Sequence, residues 1–74
     1  MTKSPISDNC YNLTNQLSKK LKAIKHYDRI IKDAQKCDDK ECATILKKIQ
    51  ADDKRHAEML RNHIEKLTKQ RKFK

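Results

Sequence analysis

The chain contains no glycine, and its single proline is Pro5. Glycine and proline are the residues that most often stop or kink a helix, so past position 5 nothing of that kind interrupts the backbone. The fold class expected is all-α. Cys10, Leu13, Leu17, Lys20, Ile24, Tyr27, Ile31 and Ala34 recur three and four residues apart, an otherwise apolar seam with one polar interruption at Lys20. Leu21 and Ile30 widen this stripe, and Lys19, Lys22, Lys25, Arg29, Lys32 and Lys36 fall on the opposite, solvated side.

Periodicity lapses over residues 36–41, where Asp38 and Glu41 have the spacing of a capping box and a tight turn is expected. A second seam follows through Cys42, Leu46, Ile49, Asp53, His56, Leu60, His63 and Leu67, widened by Ile45, Ala57, Met59 and Ile64. The expected organisation is an N-terminal tail at residues 1–7, a helix over about 8–36, a second over about 39–69, and a basic tail at 70–74 that frays. Either Ser4 before Pro5 or Ser7 before Asp8 supplies the first N-cap.

At 74 residues, with 35% hydrophobic residues, no Trp and one Phe, a lone hairpin buries little. Small chains gain stability from disulfides, a metal or oligomerisation. Cys10, Cys37 and Cys42 make no disulfide framework and no zinc knuckle. Cys37 and Cys42 flank the turn, but helix axes about 8–10 Å apart make a bridge between them demanding, and free thiols in a reducing compartment are expected. No apolar run reaches the length of a signal peptide or a membrane span, so a cytoplasmic protein without a membrane partner is expected. Two helices, each about 42 Å long, leave both apolar stripes half covered. Pairing two hairpins about a twofold axis closes a four-helix bundle, and a homodimer is the expected assembly.

Asp53 and His56 stand three residues apart on one helix face. If antiparallel pairing puts residues whose numbers sum to about 77 at one height, Lys20 lies level with Ala57, within reach of both. Lys20, Asp53 and His56 then form one polar layer in an apolar seam, and a buried charge there needs a partner. His63 lies one heptad, about 10 Å, beyond His56, too far to share an ion with it. His26 falls off the seam. Asp52 points about 100° away from Asp53, so the two are not a catalytic carboxylate pair.

Residues 20–67 resemble the helical hairpin of rubrerythrins and related ferritin-like proteins. Leu21, Ala23, Ile24 and Tyr27 match the first helix of such hairpins; Ile45, Leu46, Ile49, His56, Ala57 and Leu60 match the second. The resemblance implies a ferritin-like four-helix bundle, in which such a hairpin supplies half of a di-iron site. The family's metal-binding glutamates fall here on Lys20 and on the shorter Asp53, and His56 is kept. A protonated lysine has no lone pair to offer a cation and repels it. The expectation is therefore a lapsed metal site in which the Lys20 ammonium neutralises Asp53 through a hydrogen bond that His56 shares.

The formal charge of +9 and pI near 9.7 favour anionic partners. Exterior lysines and the C-terminal tail suit non-specific contact with phosphates, without a helix-turn-helix, zinc or aromatic stacking signature. No nucleotide loop or catalytic triad is present. The function expected is non-enzymatic assembly or partner binding without a cofactor. One alternative is an oxidative metalloprotein that binds iron or another divalent metal with Asp53 and His56 across a dimer; another is a basic nucleic-acid-associated protein.

Overall fold

Ser7 starts the first helix. Its backbone is extended (φ −63, ψ 154), its side-chain oxygen accepts from the Cys10 N–H at 3.2 Å, and Asp8 follows at the positive end of the helix dipole. The computed structural model describes residues 6–74, which form two helices, α1 (Asp8–Lys36) and α2 (Lys40–Lys69), folded against each other as a hairpin. Residues 1–5, most of the expected N-terminal tail and the alternative cap at Ser4, lie outside the described residues.

Both helices end in the same way, without glycine. At the end of α1, Asp38 takes φ 61, its N–H donates to the Gln35 carbonyl at 3.1 Å, and the Asp39 N–H reaches back to Ala34 at 3.0 Å. This is a Schellman motif. Asp38 is therefore spent on closing α1, and the N-cap of α2 is Asp39, whose carboxylate accepts from the Cys42 N–H at 2.9 Å. The capping box expected from Asp38 and Glu41 gives way to that arrangement. At the end of α2 Arg71 takes φ 57, with Arg71 N–H on Thr68 at 3.0 Å and Lys72 N–H on Leu67 at 2.7 Å.

That second Schellman turn redirects the chain, and the C-terminal residues expected to fray instead close over the start of α1. The Lys72 carbonyl accepts from Cys10 Sγ at 3.7 Å, and the Lys74 carbonyl accepts from the Ser7 N–H. Cys10 is 1% exposed beneath this clasp. All three cysteines are free thiols, Cys37 exposed and Cys42 half-buried.

The seam of α1 is the expected one, from Cys10 through Ile31 and Ala34, with Ile30 half-buried beside it, but Leu21, expected to widen it, is 53% exposed. The seam of α2 is turned by one residue. Its buried line is Ala43, Gln50 and Ala57, with Leu46, Asp53, Leu60, Ile64 and Leu67 half-buried alongside, while Ile49 and His63 are exposed. The physical reason is size. Alanines let the two backbones approach closely, and the bulky Ile45, Ile49 and Met59 are displaced to the flank.

The Cα trace measures 50 × 26 × 12 Å, a slab one helix thick. Its radius of gyration is 16.4 Å, against about 11 Å for a globule of this length. No helix among the described residues is long and apolar enough to cross a membrane.

Candidate functional site

Lys20 comes from the middle of α1 and Asp53 from the middle of α2, and the two meet across the hairpin with Nζ 3.1 Å from Oδ1. The Asp53 side chain is 14% exposed and that of Lys20 33%. A carboxylate so shielded needs a hydrogen-bonding partner, and the longer lysine supplies it while keeping part of its stem in water. His56 lies one turn further along α2, its Nδ1 3.9 Å from the same Oδ1 and its side chain 44% exposed. That distance is too long for a hydrogen bond, so the bond expected between His56 and Asp53 is not made. The cause is the turned seam: Ala57 faces α1, and His56 is carried to the rim.

At that rim Gln16 and Lys20 of α1 line a shallow concavity with His56, Met59, Leu60 and His63 of α2. Counting helical turns from there toward the Asp38 turn, the same side of the hairpin takes Ala23, Tyr27 and Ile30 on α1. On α2 it takes Ile49, Ile45 and Cys42. Ile45 is 50% exposed and Met59 64%, large apolar side chains on one continuous flank. Asp52 interrupts it and is held by Arg55 at 3.2 Å, an exposed pair on neighbouring turns.

A second polar contact lies deeper. Gln50 is 8% exposed, and its Nε2 donates to the Ile24 carbonyl at 2.9 Å and to Asp28 Oδ1 at 2.7 Å. Apolar periodicity passes over a glutamine. The signal that finds it is heptad spacing from two small residues, Ala43 and Ala57. Among the described residues no buried side-chain nitrogen or oxygen lacks a partner.

These donors do not fit the di-iron centre of ferritin-like proteins. Under that resemblance the first carboxylate position falls on Lys20, whose ammonium is bonded to Asp53, and His56 alone would offer a nitrogen. His26 and His63 are exposed. Among the described residues no three His, Cys, Asp or Glu side chains group as a metal cage. What the arrangement can do is fix the height of one helix against the other, because sliding by a turn strands a charge against apolar side chains. Comparison of the chain with family models, curated proteins and solved structures finds no match, so the likeness to ferritin-like hairpins is carried by residues 20–67 alone.

Proposed function

We propose that the hairpin is the protomer of a non-enzymatic, ferritin-like homodimeric four-helix bundle that serves assembly or partner binding. In this reading the polar layer of Lys20, Asp53 and His56 stands where resembling proteins carry metal. The observation that carries it is the apolar flank of Ile45, Ile49 and Met59 on a slab with almost no core. The buried apolar residues are Cys10, Ile31, Ala34, Ala43 and Ala57, mostly small side chains. Burying a large aliphatic side chain contributes about 1.5–3 kcal/mol, and three alanines contribute far less. A second copy laid on the flank covers the large residues that α1 leaves bare. The Lys20–Asp53 pair then lies at the border of that interface, between the isoleucines and Met59, and specifies its register.

Light scattering at micromolar concentration tests the assembly. The wild-type chain is expected at twice its 8.8 kDa mass, and the Ile49→Lys variant as a monomer. A wild-type monomer would overturn the dimer. Iron content by mass spectrometry after incubation with Fe(II) tests the rest on the same samples. Stoichiometric iron in the wild type would revive the iron-binding alternative, with Asp53 and His56 as its ligands.

A further inference from the structure

The side of the hairpin away from the apolar flank has a different character. Asp28, Ile31, Lys32 and Gln35 of α1 line one hollow with Lys47 and Gln50 of α2, and Lys40 and Lys47 line the next toward the turn. Lys40, Lys47, Lys54 and Arg61 follow one another at heptad spacing along α2, and Lys25 and Lys32 do the same on α1. All six are exposed. The ion pairs of the described residues engage Lys20, Arg55, His56 and Lys69, none of them in these rows. Three acids interrupt the side: Asp28, which accepts from Gln50, Glu58, exposed between Lys54 and Arg61, and Glu65, exposed one turn past Arg61 and paired with Lys69. Leu21, 53% exposed, lies beside Lys25 in a hollow it shares with Leu17.

From this segregation we propose that the two cationic rows form a docking face for the phosphate backbone of a double-stranded nucleic acid. Successive cations of a row stand about 10.5 Å apart, and the α2 row runs for about 30 Å, the scale of a full turn of duplex. Unpaired ammonium groups on a rigid helix release counterions from a dense polyanion without ordering flexible loops. The aromatic residues argue against a single strand. Tyr27 belongs to the opposite flank, Phe73 to the half-buried C-terminal clasp and Tyr11 to the far end of α1, so no row of rings is available for stacking bases. Recognition is of shape and charge, not of base sequence. The face does not depend on the dimer, since a monomer carries both rows.

Fluorescence anisotropy of a labelled DNA duplex of about 25 base pairs, titrated with the full chain between about 50 and 200 mM salt, tests this. Lys32→Gln/Lys47→Gln/Lys54→Gln is compared with Lys19→Gln/Lys48→Gln/Lys66→Gln, which removes the same net charge from other sides. Helicity by circular dichroism is recorded for both, and the single Lys47→Gln covers any loss of folding in the triple variant. The face variant is expected to bind about tenfold or more weakly with a shallower salt dependence, the control to lose less than about threefold. Equal losses in the two triple variants would reduce the effect to net charge and overturn the proposal, as would no wild-type binding at the lowest salt. Tighter binding to phosphatidylserine vesicles than to the duplex would overturn it in favour of a membrane surface.

Discussion

Lys20 and Asp53 are unequal partners, and the inequality sets what each substitution does. Asp53 is the more enclosed, so removing Lys20 leaves a carboxylate with poor access to water, whereas removing Asp53 lets the lysine swing out. Lys20→Met is expected to cost about 1–2 kcal/mol and Asp53→Asn about 1 kcal/mol or less. The double variant Lys20→Met/Asp53→Leu is expected to recover most of the loss, because apolar residues of similar volume replace a shielded ion pair at little cost. Urea unfolding of the three proteins measures this, and a double variant no more stable than Lys20→Met would show that apolar packing does not replace the ion pair. Lys20 and Asp53 were legible in the sequence as polar breaks in apolar seams. Gln50 was not, because its signal is the smallness of Ala43 and Ala57 around it, and hydrophobic periodicity weights bulk above close approach.

Both helices end on a residue with positive φ, and at the turn Asp39 does two things at once, its N–H closing α1 and its carboxylate capping α2. Asp38 ends α1 in the left-handed region, which aspartate tolerates, while Asp39 caps α2. Arg71 adopts the same region with a long side chain that gains nothing locally from doing so. Arg71→Gly is expected to stabilise the C-terminal clasp by about 1 kcal/mol. The clasp covers Cys10, so local opening there is read directly by a thiol reagent. Labelling of Cys10 should slow about fivefold in Arg71→Gly while labelling of the exposed Cys37 stays unchanged. Unchanged Cys10 labelling would mean that the thiol is reached by a route other than lifting the clasp. The helices were plain from a body without glycine or proline. The clasp was not, because a run of lysines and arginines reads as solvated tail, whereas the Lys72 and Lys74 carbonyls accept from Cys10 Sγ and the Ser7 N–H at the start of α1.

A slab 12 Å thick has two broad sides and no interior to speak of, and this one divides them by chemistry. Ile45, Ile49 and Met59 lie on one, and the rows of Lys25 and Lys32 and of Lys40, Lys47, Lys54 and Arg61 on the other, with the exposed Leu21 among the latter. In the proposed dimer, cationic rows kept off the pairing side would lower the repulsion between two copies that each carry +9. If the pairing of folded hairpins adds to their stability, that stability depends on how much chain is present. Each tenfold rise in concentration then adds about 1.4 kcal/mol to the unfolding free energy of the dimer, a rise in Tm of about 4 °C. Thermal unfolding followed by circular dichroism across two such steps checks it, with Ile49→Lys as the reference. The wild type is expected to shift at each step, and the variant to melt lower and at one temperature throughout. A wild-type Tm independent of concentration would mean that the thin seam of α1 on α2 suffices alone, and that the apolar flank contributes nothing to the folded state.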